Sequence, residues 1–363
     1  MKTLAQVLVG FKKPLEQQEF ELPPLAPGEV LVKVTAAGVC GSDLHMASGE
    51  DPRTPLPIIL GHEGVGEIVE IKGAKSDVQG RPLRVGQPVL WNRSVVCGQC
   101  FFCARGEHLL CPKRFVYGIH RSCAVPPHVN GCYSRLLPLD ARTDIIAIDD
   151  VPAEHHTTLV TASCTGSTAA HEFDFFPPGP KDTIVILGAG PLGCFTAALA
   201  RDLGVRRIVM ISRSEGRLEA AKRYGATDVL TIKNTTPEER KEFVRSATDG
   251  RGADAVYECV GKADVVREGL GLVRQGGRFI TAGFGQPGGK MEWDPFWDLT
   301  RPDLKYVGVW VSHTRHTLRA LDLMKKHLAD FALMVSHKVP LAEANRAHDL
   351  MRRGEAMKAV LVP

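Results

Sequence analysis

The chain has 363 residues, 44% of them hydrophobic and 24% charged, with a formal net charge of +4. That length suggests two domains with ample core, and so small and evenly spread a charge does not argue for nucleic acid or an anionic membrane as partner.

The start, Met1–Gly10, has one Lys and a short apolar stretch, and Lys12-Lys13-Pro14 follows without a small-residue cleavage site. It reads as a first strand rather than a signal peptide, so the protein is expected in the cytoplasm. From Glu29 to Cys40 and from Gly61 to Ile71 the chain is rich in Val and Ile with Gly punctuation, which predicts short strands and irregular loops. The stretch from Cys97 to Asn130 is dense in Cys, Gly and Pro and reads as a metal-knotted loop rather than a helix.

Near Asp182 the rhythm changes. Strands are predicted over Thr183–Leu187, Arg207–Ile211, Asp228–Ile232, Ala255–Cys259 and Gly277–Ala282. Helices are predicted over Leu192–Leu203, Glu215–Tyr224, Pro237–Ala247 and Ala263–Val273. Such alternation implies βαβ crossovers and a parallel sheet. Thr183–Ala200 carries no charge over eighteen residues, but Gly188-Ala189-Gly190-Pro191 would break a membrane helix there. After Lys305–Trp310 a helical run (Thr314–His327) and a closing strand (Lys358–Val362) follow. The expected fold is α/β: a Rossmann-type unit inside a mainly β chain whose two ends fold together.

Cys97, Cys100, Cys103 and Cys111 place four thiols within fifteen residues. Thiolates so spaced can close a tetrahedral shell around Zn²⁺ at about 2.3 Å, with no position left for chemistry. The alternative, disulfides, needs an oxidising compartment that nothing else in the sequence suggests. A structural zinc lobe is expected.

Gly188-Ala189-Gly190-Pro191-Leu192-Gly193 is a G-x-G-x-x-G between a predicted strand and a predicted helix. The first Gly makes the turn, the second admits a pyrophosphate, the third lets helix pack on strand. The helix N-terminus then offers free N–H groups to phosphate. At the end of the next strand an acid would bind the ribose 2′-hydroxyl of NAD, but Ser212 stands there, with Arg213, Ser214 and Arg217 after it. A hydroxyl and a guanidinium fork suit a 2′-phosphate, so NADP(H) is expected over NAD(H). The alternative has Arg213 stacking on adenine and Glu215 taking the ribose.

Cys40 and His62, at the ends of predicted β segments, are good Zn²⁺ ligands by type, and Cys164 is a third candidate. Three protein ligands would leave one position for water or a substrate oxygen.

Cys40-Gly-Ser-Asp, Gly61-His-Glu-Gly-Val-Gly-Glu, the four-cysteine lobe, Cys164 and Gly188–Gly193 occur in the order and spacing of the zinc-dependent medium-chain dehydrogenase/reductases, the zinc alcohol dehydrogenases, which the whole chain resembles. The resemblance implies a GroES-like catalytic domain from residues 1–160 and 311–363 and a Rossmann cofactor domain from 161–310. It implies two zinc ions per chain, the catalytic one held by Cys40, His62 and Cys164. Glu63 looks like the carboxylate that approaches the metal during ligand exchange, and Asp43 like the acceptor that orients His62. Ser42 resembles the hydroxyl that touches the substrate alcohol, and His45 the outer end of a proton relay. Lys358 occupies a place where relatives can carry Arg towards the pyrophosphate. The reaction implied interconverts a small-molecule alcohol and its aldehyde or ketone by hydride transfer, in a homodimer or homotetramer. Two alternatives stay open: an NAD-linked polyol or amino-alcohol dehydrogenase, and a non-catalytic zinc and nucleotide-binding redox sensor. Arg93, before the lobe in a stretch that lines the substrate cleft in relatives, is a candidate anchor for an anionic substrate. More often an Arg in such a stretch pairs with a neighbouring acid or faces solvent.

Overall fold

The computed structural model describes residues 1–363, which form two compact units. The first comprises Met1–Cys164, His313–Thr317 and Met324–Pro363; the second comprises Thr165–Ser312 and Leu318–Leu323.

The first unit is built on β-sheet. Its larger sheet runs in the order Ile145–Ala147, Pro88–Trp91, Gly64–Ile71, Val30–Gly38, Lys358–Val362, Val335–Pro340. Leu136–Leu139 also pairs with Val30–Gly38. Val34, Ile68, Trp91, Leu137 and Leu361 are buried in its core. Val360 and Leu361 stand opposite Gly38 and Ala37 in an antiparallel register. The end of the chain thus lies against the strand that leads to Cys40, and both termini share one core.

The second unit is a six-stranded sheet in the order Asp228–Thr231, Arg207–Ser212, Thr183–Leu187, Ala253–Glu258, Val273–Thr281, Lys305–Gly308. Every pairing in it is parallel. Thr183–Leu187 is buried along its whole length, as a strand covered on both faces must be, hence its unbroken apolar sequence. Strand order reverses beside it, the point at which a doubly wound sheet opens a crevice for a ligand.

Three local outcomes differ from the sequence reading. The helix expected over Ala263–Val273 ends at Leu270, and Val273 already opens the next strand. A Cβ at Gly269 would lie 2.6 Å from Leu187 and 2.7 Å from Phe279, so its glycine answers packing rather than helix propensity. The cysteine-rich loop contains a short helix, Phe101–Ala104, and a 3₁₀ turn, His108–Leu110. Residues 156–175 are helical, with a π-turn over Ala162–Gly166. Their small and β-branched residues show no clear 3.6-residue period. No helix is long and apolar enough to cross a membrane, and the uncharged stretch splits at Gly188–Gly190 into strand and helix.

Candidate active site and metal centres

The strand Val30–Gly38 delivers Cys40 to the start of a helix, Gly41–Ser48, whose first turn is locked by Asp43. Asp43 Oδ2 accepts the Cys40 backbone N–H at 2.8 Å. His62 and Glu63 precede the strand Gly64–Ile71, after Gly61 at φ +91°, where a Cβ would also strike the Tyr133 ring. Cys164 sits in the π-turn, a local widening that recurs at functional positions. One ligand atom from each of Cys40, His62, Glu63 and Cys164 lies within 4.8 Å of all the others.

Around this cluster, Asp43 Oδ1 stands 3.4 Å from His62 Nδ1, and the Tyr133 hydroxyl donates to Asp43 Oδ2 at 3.3 Å. Burial pushes the His62 imidazole down, but the Asp43 carboxylate and the Cys40 thiolate outweigh it and raise it to about 10. The site therefore favours positive charge at that ring. Cys40 is held well below the ordinary thiol range, chiefly by hydrogen bonding with Cys164, which is raised by the same interaction. Glu63 Oε1, fully buried, has no hydrogen-bond partner. Soft thiolate and imidazole donors, an orphaned buried carboxylate oxygen and a field that rewards a cation all fit Zn²⁺.

The structure places Ser42 Oγ 3.4 Å from His62 Nε2. The His45 ring, part-exposed, pairs through Nδ1 with Glu50 Oε2 at 2.5 Å, a partner the sequence reading did not name. Lys358 is 1% exposed, and its Nζ lies 2.5 Å from Glu63 Oε2. Burial lowers the Lys358 ammonium's pKa, but the Glu63 carboxylate wins and keeps it charged. That partnership also escaped the sequence reading, because nearly 300 positions separate the two residues and no local pattern joins them.

Cys97, Cys100, Cys103 and Cys111 form a second cluster with ligand atoms within 4.8 Å of one another. Cys97 Sγ is 4.0 Å from Cys103 Sγ and 3.6 Å from Cys111 Sγ. A tetrahedron with Zn–S of about 2.3 Å has S–S edges of about 3.8 Å, which these two separations match. All ten cysteines are free of disulfides. Backbone N–H donation from Gln99 lowers the Cys97 thiol to about 6, while burial raises Cys103 to about 12.

In the second unit, Gly188 adopts φ +109° and Gly190 caps the helix Pro191–Asp202, which begins Pro191-Leu192-Gly193. A Cβ at Gly193 would lie 1.9 Å from the Gly188 carbonyl oxygen, whereas one at Gly190 would meet no protein atom. The turn thus needs glycine for close packing at one position and leaves open room at the other, the cradle a pyrophosphate requires. The strand Arg207–Ser212 ends at Ser212; Arg213 is exposed, and Ser214 Oγ accepts the Arg217 backbone N–H at 3.4 Å. Burial and then the charge of Arg213 depress the Arg217 guanidinium, so the two arginines share one neighbourhood. Glu215 Oε1 stands 3.5 Å from Asn234 Nδ2.

Arg93, 3% exposed, donates from Nη1 to the Ser163 carbonyl oxygen at 2.7 Å. It neither faces solvent nor pairs with an acid.

Two family models match the chain. Residues 26–150 match the alcohol dehydrogenase GroES-like domain, and residues 191–326 match the zinc-binding dehydrogenase domain. The chain is 31% identical over 351 residues to 5-exo-hydroxycamphor dehydrogenase of Pseudomonas putida, covering 93% of this chain and 92% of that one. Among solved structures, an alcohol dehydrogenase from Thermotoga maritima superposes with a TM-score of 0.95 at 40% identity, over 100% of both chains. A zinc-binding dehydrogenase from Sinorhizobium meliloti, solved bound to NADP, gives a TM-score of 0.83 at 26% identity, again over 100% of both chains. The chain therefore belongs to the zinc-dependent medium-chain dehydrogenase/reductases, the zinc alcohol dehydrogenases, and is an oxidoreductase acting on CH–OH donors.

Proposed function

We propose that the protein interconverts an alcohol and its aldehyde or ketone using NADP(H), with Cys40, His62 and Cys164 holding a catalytic zinc and the four-cysteine lobe a structural one. The observation that carries the reaction is the convergence of those three side chains with Ser42 and Glu63. When bound, zinc supplies Lewis acidity towards the substrate oxygen, and the nicotinamide accepts or returns the hydride. The chain's own residues handle the proton. Ser42 takes it from the alcohol, and His45, whose ring is part-exposed and braced by Glu50, exchanges it with solvent. Asp43 fixes the His62 ring, and Lys358 sets a counter-charge against Glu63 beside the metal ligands. A sensor would have no use for Ser42 and His45 in these places. Free thiols throughout fit a reducing, cytoplasmic setting. Exposed Phe296 and Trp297 offer apolar surface on the second unit for the homodimer or homotetramer of this reading.

The cofactor preference rests on Ser212, Arg213 and Arg217. Arg213 makes no ion pair in the structure and is free to meet a 2′-phosphate. Arg213→Ala should weaken NADPH binding about tenfold while leaving NADH binding nearly unchanged, measured by fluorescence titration. Equal losses for the two cofactors would return the reading to an NAD-linked dehydrogenase.

A further inference from the structure

Arg93 and Arg114 lie beside the two-stranded pairing of Ser94–Val95 with Phe115–Val116, in which Ser94 stands opposite Val116. Arg114, half-buried, donates from Nη1 to Ser94 Oγ at 3.3 Å. Arg93, almost fully buried, has one protein acceptor, the carbonyl of Ser163, the residue before Cys164. Neither guanidinium has a carboxylate partner. Arg53, which acts on the same neighbourhood, is neutralised by Asp51 through contacts of 2.8 Å from Nε and Nη2. Burial first, then the charge of Arg93, depress the Arg114 guanidinium to about 10, against an opposing pull from Cys111 and with a smaller push from Arg53. The positive charge of Arg93 also reaches the Cys164 thiol. Arg93 is thus sequestered next to Cys164, the half-buried Arg114 bonds the neighbouring Ser94, and both guanidiniums hydrogen-bond only neutral oxygens. A buried cation left without a counter-charge is costly, and a ligand anion is the group that relieves it.

We propose that Arg93 and Arg114 form an anion subsite beside the Cys40–His62–Cys164 cluster, so that the substrate is an alcohol or carbonyl compound that also carries a carboxylate or similar small oxyanion. This rests on the dehydrogenase reading above and names its substrate class. The planar forks of arginine suit an oxyanion, and the Ser163 carbonyl fixes the Arg93 fork in the orientation it presents. Arg93 is a specificity-determining residue here; the reacting carbon is left to the metal and the cofactor.

The test uses the zinc-loaded protein with NADPH and two matched pairs: 4-oxobutanoate against methyl 4-oxobutanoate, and 2-oxobutanoate against its methyl ester. The acid should exceed its ester in kcat/KM by about tenfold or more, chiefly through KM, and the advantage should shrink as ionic strength rises. Arg93→Met should pull the acid-to-ester ratio towards unity, Arg93→Lys should keep part of it, and Arg114→Met should lower it. An ester preferred by the wild-type protein, or a ratio that Arg93→Met leaves intact, overturns the subsite. Calorimetric titration with succinate and with succinamide decides the same point without turnover. Succinate should bind in preference, and Arg93→Met should abolish the difference. If no carbonyl compound turns over while that binding pattern holds, the hydride-transfer reading fails and the subsite stands. If turnover occurs without any preference for the anion, the reverse is true.

Discussion

Glu172, on the helix Ser167–Phe175, is 0% exposed, and its main partner is the Thr196 hydroxyl, donating to Oε2 at 2.7 Å. Burial raises this carboxyl to about 8 from an ordinary value of 4.5. Between those values the folded chain holds a proton that the unfolded chain has released, so this group's contribution to stability falls as pH rises through that window and is constant above it. Glu172→Gln removes the titration. Its melting temperature relative to the wild-type protein should climb from pH 5 to pH 8 and then level off; a difference independent of pH would contradict the protonated carboxyl. Glu63, as deeply buried, is pushed in the same direction by burial, but the Lys358 ammonium 2.5 Å away opposes the shift. The identity of both acids was plain in the sequence. Their burial and partners were not, because Thr196 and Lys358 reach them only through packing.

At the scale of elements, the proposed zinc ligation would hold the cysteine-rich lobe more than any hydrophobic core does. Its helix has four residues, its 3₁₀ turn three, and Phe101 and Leu110 are exposed. Elements so short are not stable alone, and the free energy of metal binding becomes folding free energy. Cys103→Ser should therefore lower the melting temperature of the protein or its assembly state, with the lobe metal gone. Unchanged melting on loss of that ion would show the lobe to be ornament. The lobe was legible from cysteine spacing because thiol spacing encodes ligand geometry directly. Strands were legible for a related reason: Thr183–Leu187 of the parallel sheet and Lys358–Val362 of the first unit's sheet occur where expected, since apolar runs bounded by Gly or charge have few other uses. The helix Gly41–Ser48 was not read, because eight residues with little amphipathic character are set by the Cys40–Asp43 cap rather than by periodicity. The π-turn that carries Cys164 was likewise invisible; its register depends on what packs around it.

At the scale of the whole molecule, two ligand clusters of different composition stand within the first unit, and the proposed reading gives them independent metals. Metal analysis of zinc-loaded protein should find about two ions per chain, and about one in Cys164→Ala, which should keep its fold by circular dichroism while losing turnover. Full activity in that variant would remove Cys164 from the ligand set. Fold class, a β-rich and a Rossmann-type part, the glycine turn and the candidate ligands could all be read before any fold was known. Each of these is written in local spacing, residue chemistry or apolar periodicity, which survive in one dimension. Folding alone sets Lys358 against Glu63 and Glu50 against His45, and turns Arg93 from solvent to the Ser163 carbonyl. Those are polar contacts made by folding, between residues as near as His45 and Glu50 and as far apart as Glu63 and Lys358. Their energies depend on distance and burial, which no spacing along the sequence specifies.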